Sequence, residues 1–139
     1  MINMIKIVHI KDFIHLSLQG DMDFLKLKKF INELSSIHGS FIDYDLLIDS
    51  RGAKINLGFF ELWDIAKELA SVIHAGDGKG FTAKIIVFCP AEHFNNAKFL
   101  ETCSLNNGLN MRSFTSFDDI FEWMSNSLTH NLEKSLLSK

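Results

Sequence analysis

Apolar residues fall along this chain in two rhythms: short runs that alternate or are continuous, and longer runs with a period near 3.6. Ile5, Ile7 and the stretch Val8 to Ile10 form the first short run, and Phe13, Ile14, Leu16 and Leu18 form the second. Only Lys11-Asp12 separates them, too little for a parallel crossover, so the pair predicts an antiparallel hairpin. Gly20 and Asp21 end the second strand. Phe24, Leu27, Phe30, Ile31, Leu34 and Ile37 then recur at helical spacing up to about His38, with Asp21 or Asp23 as cap and Gly39 as stop.

Tyr44 to Ile48 reads as a third strand. Leu46, Leu47 and Ile48 are consecutive and apolar, as a central strand covered on both faces requires. It is expected to end on a loop, Asp49-Ser50-Arg51-Gly52, and Asn56 to cap a helix from about Leu57 to His74. The expected core face of that helix is Phe59, Leu62, Ala66, Leu69, Ala70 and Ile73, with Phe60, Ile65 and Val72 left over. After a loop at Gly76, Asp77, Gly78 and Gly80, Ala83 to Cys89 makes a fourth strand. Pro90 suits the first turn of a helix ending near Asn107, with Gly108 as stop. Leu109 to Phe114 is a fifth strand. Ser116 and Asp119 form a capping-box pattern, opening a helix with Phe117, Ile120, Phe121 and Met124 on one face. Beyond Ser125, Leu128, Leu132 and Leu136 are spaced for a further helix or a tail.

Strand–helix alternation predicts an α/β fold with right-handed crossovers. The expected architecture is a mixed sheet of five strands, the N-terminal one an antiparallel edge and the rest parallel, with four or five helices. A length of 139 residues makes this one domain, with its core between about residues 5 and 125 and residues 126–139 as the terminal helix or tail.

Composition narrows the function classes. Apolar residues are 47% of the chain and Phe occurs 13 times, enough for an aromatic-rich core. The net charge is −3, from 14 basic and 17 acidic residues, so no nucleic-acid partner is expected. A solvated helix face accounts for the densest basic run, Lys26, Lys28 and Lys29. No apolar stretch reaches the length of a membrane span. Met1 to Lys6 leads straight into a strand without a signal-peptide pattern, so a cytoplasmic setting is expected, and Cys89 and Cys103 are expected to be free thiols.

Three stretches carry a family resemblance. They are Tyr44-Asp45-Leu46-Leu47-Ile48-Asp49-Ser50-Arg51-Gly52, then Ala83-Lys84-Ile85-Ile86-Val87-Phe88, then Met111-Arg112-Ser113-Phe114 with the helix from Ser116 to Met124. Together with the element order they resemble the SpoIIAA-like branch of the STAS domains, the sulfate-transporter and anti-sigma-factor-antagonist superfamily, and small stand-alone bacterial members in particular. The resemblance spans about residues 5 to 125 and implies a non-enzymatic role in binding proteins or small ligands. Anti-sigma-factor antagonists carry a phosphorylatable Ser at the start of the helix after the third strand. The matching stretch here, Lys54-Ile55-Asn56-Leu57-Gly58, has none, so that switch is not expected.

The candidate chemistry is sparse. Asp49, Ser50 and Arg51 lie where ligands bind in parallel sheets, the C-terminal strand edge, with Asn56 and Cys89 close to the same edge. They are the candidate ligand-binding residues. Cys89 and His93 have the outline of a nucleophile and base, but no orienting third group accompanies them, and a small buried thiol is the plainer reading. No catalytic residue is assigned. The histidines are scattered and the cysteines distant, so neither a metal site nor a cofactor is expected. The surplus apolar positions Phe60, Ile65 and Val72 make the helix from Leu57 to His74 the candidate partner surface, for another protein or a second copy of the chain. A small-ligand or lipid-fragment binder using the sheet edge is the alternative function.

Overall fold

The computed structural model describes residues 5–10, 13–37, 45–74 and 84–124. Its five strands are β1 (Ile5–Ile10), β2 (Phe13–Met22), β3 (Asp45–Ile55), β4 (Lys84–Phe88) and β5 (Asn110–Phe114), and they lie in one sheet in chain order. β1 pairs antiparallel with β2, Ile5 facing Leu18, and β2 to β5 run parallel. α1 (Phe24–Ile37) joins β2 to β3, and α2 (Phe59–His74) joins β3 to β4. A 3-10 turn (Ala91–His93) and α3 (Phe94–Asn106) join β4 to β5, and a last helix, α4, covers residues 117–124. The Lys11-Asp12 turn, the Gly39 stop, the glycine loop at 76–80 and the tail with Leu128 and Leu132 lie outside the described residues. No described helix is long and apolar enough to cross a membrane.

Side chains alternate across the sheet, so consecutive apolar residues serve two cores. Leu16, Leu46, Ile85, Val87 and Met111 face α1, α2 and α3 in the larger core. Leu47, Ile86, Phe88 and Phe114 face the other way and meet Ile120, Trp123 and Met124 of α4. This is why Leu46 and Leu47 are both buried. α4 departs from its expected face: Ile120 is buried, while Phe117 and Phe121 are exposed.

The ends of β2 and β3 and the start of α2 differ from expectation, for one physical reason. β3 does not stop at Ile48 but runs to Ile55, because β2 also continues, to Met22, and supplies a ladder for it. Between the pairs Ser17–Asp49 and Gln19–Gly52, β3 advances three residues against two on β2, which is a β-bulge at Ser50 and Arg51. The bulge leaves two consecutive exposed positions, Arg51 and Gly52, before Ala53 is buried again. The helix start shifts with it. Gly58, not Asn56, opens α2, and its N–H donates to Glu61 Oε1 at 3.0 Å. α1 follows expectation, with Asp23 Oδ1 accepting the Lys26 N–H at 2.8 Å.

Gly108 closes α3 with φ +84°, as Leu109 N–H donates to Ser104 O and Gly108 N–H to Leu105 O. These are the two bonds of a Schellman ending, which needs the left-handed conformation. A Cβ at Gly108 would also lie 3.4 Å from His74 Nε2. Gly108→Ala is expected to destabilise the domain by about 1–2 kcal/mol, read as a lowered urea midpoint. An unchanged midpoint would show that the turn tolerates a side chain.

α2 buries Leu62, Ile65, Ala66, Leu69, Ala70 and Ile73. Ile65 therefore belongs to the core and is not a free partner contact. α2 packs against α1 on one side and α3 on the other, so its buried stripe is wide enough to include Ile65. Val72 is half-buried against the same core, Phe59 is exposed despite its expected place in it, and Phe60 stands out into solvent.

Candidate functional site

The larger core is incompletely filled. Between the sheet and the three helices lies a partly open cavity of about 100 Å³. Its floor is sheet: Leu18 from β2, Ile48 and Ser50 from β3, Val87 from β4, Met111 from β5 and Cys89 just past β4. Leu27, Phe30 and Ile31 of α1, Leu62, Ile65 and Leu69 of α2, and Ala97 and Leu100 of α3 form the walls. Ile55, Leu57, His93 and Asn96 complete it; these four, with Ile48 and Leu100, are only half-buried and border its mouth. Among the described residues no Asp, Glu, Lys or Arg lines this cavity.

Local structure explains why the space exists. Ala97 presents only a methyl group where α3 crosses the sheet, and its carbonyl is held by the Ser113 hydroxyl at 3.0 Å. Glu101 Oε1 accepts the Ser113 N–H, pinning α3 to β5 a turn later. The helix therefore cannot settle further into the gap. On the floor, Ser50 Oγ donates to Phe88 O at 3.1 Å, which leaves its oxygen lone pairs as the polar feature of an apolar surface. Cys89 Sγ lies 3.6 Å from Phe114 O, and burial pushes its thiol pKa up. A raised thiol pKa lowers the thiolate fraction, the opposite of what activates a nucleophile.

The sequence-derived candidates separate into two groups. Ser50 and Cys89 share the cavity floor, whereas Asn56 is exposed between the cavity residues Ile55 and Leu57 and does not line it. Asp49 and Arg51 project to the opposite face of the sheet, because strand side chains alternate. There Arg51 Nε and Nη2 donate to the two Asp49 oxygens at 2.9 and 2.8 Å, and the guanidinium lies 4.1 Å from the Phe88 ring centroid. His15 Nε2 is 3.6 Å from Asp49 Oδ2. Two candidates thus pair with each other, on a face the cavity does not reach. The helical wall residues Ala97 and Asn96 carry no sequence signal of their own. Among the described residues no group of three or more His, Cys, Asp or Glu could hold a metal ion.

The Arg51 side chain, followed by its backbone N–H and charge, holds the Asp49 carboxyl below its usual range, with burial acting in the opposite direction. A folded pKa below the unfolded one means that ionised Asp49 stabilises the domain above the unfolded value. That contribution is lost as pH falls through the folded value. Arg51 is more than half exposed, so solvent screening limits the pair to about 1 kcal/mol. Urea unfolding near pH 6 and near pH 3 should therefore show wild type losing about 1 kcal/mol more than Asp49→Asn. Equal losses would mean that the pair is energetically silent.

No protein-family model matches the chain, and no curated protein matches it. Among solved structures it is similar to a DUF3478-family protein from Shewanella loihica PV-4, described as uncharacterized and as having a SpoIIAA-like fold. The TM-score is 0.53 at 15% sequence identity, over 87% of this chain and 92% of that one. With its parallel strands and flanking helices, this chain has the SpoIIAA-like fold.

Proposed function

We propose that this chain is a non-enzymatic, STAS-like binding module whose ligand is a small, neutral, apolar molecule held between the sheet and α1, α2 and α3. The cavity is the observation that carries this reading. An engineered cavity of about 150 Å³ lined by aliphatic and aromatic groups binds benzene, so a smaller but open one has room for a short alkyl segment or part of a ring. The remainder of the ligand then extends through the mouth. A carboxylate or ammonium group buried without a partner is strongly disfavoured, and the lining supplies no formal charge to meet one. A hydroxyl or carbonyl can be met by His93 or Asn96 at the mouth. The apolar lining and the raised thiol pKa of Cys89 support a binding role over catalysis.

The test compares two ligands of equal chain length. Calorimetric titration near pH 7 is expected to show saturable binding of 1-octanol, with octanoate weaker by at least about tenfold. Equal binding of both would contradict a neutral site, and binding of neither would contradict the ligand-binding reading itself.

A further inference from the structure

We propose that Ser50 makes the cavity selective for a hydroxyl compound, an alcohol or phenol that enters with its hydroxyl toward the sheet; this rests on the cavity reading above. Among the described residues, Ser50 and Cys89 are the polar side chains of the cavity floor, and they are 6% and 2% exposed. Each sits just beyond the end of a strand pairing. β3 and β4 last pair at Asp49 and Phe88, and Ser50 Oγ reaches across to Phe88 O at 3.1 Å. β4 and β5 last pair at Phe88 and Phe114, and Phe114 O faces the Cys89 N–H at 3.0 Å and Cys89 Sγ at 3.6 Å.

A carbonyl oxygen has no proton to give, so the proton in both side-chain contacts comes from Ser50 and Cys89. The hydroxyl and the thiol are thereby spent as donors. What the floor still offers is acceptor capacity, chiefly the lone pairs of the Ser50 oxygen, because a thiol sulfur accepts weakly. Among the described residues none donates to that oxygen. The head of a ligand must therefore be the donor. A ketone or an ether can only compete with Phe88 O for the Ser50 proton. An amine or a carboxylic acid is charged near pH 7 and meets no opposite charge in the lining. An amide N–H brings a carbonyl that the floor has no donor to meet. A hydroxyl is neutral and donates one proton, which is what the Ser50 oxygen can take. The rest of the floor is Leu18, Ile48, Val87 and Met111, so this one oxygen decides which end of a ligand points inward.

The experiment is calorimetric titration near pH 7 with phenol and with toluene, which are alike in size and differ in the hydroxyl. It is run on wild type, Ser50→Ala and Ser50→Cys, with circular dichroism on all three. Wild type is expected to bind both compounds. Each substitution is expected to weaken phenol by about tenfold, the loss of one hydrogen bond to a buried hydroxyl, and to leave toluene within about twofold. Cysteine keeps the shape of serine with a poor acceptor, so the comparison survives a Ser50→Ala variant that does not fold. If toluene affinity falls in step with phenol affinity, Ser50 only shapes the floor and the proposal is overturned. Phenol binding that neither substitution weakens overturns it too, as does a wild type that binds toluene and rejects phenol; both leave the cavity reading standing. A wild type that binds neither compound, nor 1-octanol, defeats the cavity reading and this one with it.

Discussion

Ile65→Glu is expected to unfold the domain. Ile65 is 5% exposed, sits in the larger core and lines the apolar cavity. The substitution forgoes roughly 1.5–3 kcal/mol of side-chain transfer. It also places a carboxylate among Leu62, Leu69 and Phe30, where no cation lines the space, at a cost of several kcal/mol more. A domain of this size has only about 5–15 kcal/mol in total. Far-UV circular dichroism and urea unfolding should show a largely unfolded Ile65→Glu beside a Phe60→Ser variant within about 0.5 kcal/mol of wild type. If Ile65→Glu kept a native midpoint, Ile65 would be a surface residue after all and α2 would pack differently from the arrangement described.

Ala97→Leu is expected to abolish ligand binding without unfolding the protein. Ala97 is buried on α3 and contributes only a methyl group to the cavity wall. Leucine is a good helix former, so the helix bears little cost. Its added carbons would enter space that is already empty, so the usual 1–3 kcal/mol cost of overpacking is offset by new contacts. Stability within about 1 kcal/mol of wild type is expected, together with a loss of 1-octanol affinity of more than about tenfold. A variant that binds octanol as well as wild type would place the ligand elsewhere.

How far the sequence carries can be judged at particular residues. Leu46-Leu47-Ile48 and Ile85 to Phe88 announced central strands, because only a sheet covered on both faces can bury consecutive apolar side chains. Asp49-Ser50-Arg51-Gly52 looked like a loop because it is polar and ends in glycine. What keeps it in the sheet is the extension of β2 to Met22, a pairing far away in sequence, and the bulge that absorbs the extra residue. The same alternation sends Ser50 to the cavity and Asp49 and Arg51 away from it, so a candidate cluster that was contiguous in sequence was divided between two faces. Ile65 lies outside the core face that the spacing predicts because the width of a helix's buried stripe depends on how many neighbours flank it, here α1 and α3. The cavity itself left no local trace. It is made of ordinary core residues from four strands and three helices, and becomes visible only when they are assembled.

The most direct test of a ligand seated between the sheet and the helices is methyl-resolved NMR during titration with 1-octanol. Saturable shifts are expected at the methyl groups of Leu62, Ile65, Leu69 and Leu100, which surround the cavity. The methyl groups of Leu47, Ile86 and Ile120, across the sheet against α4, are expected to stay still. Saturable shifts confined to that second core, or no saturable shift at any of these methyls, would contradict the account.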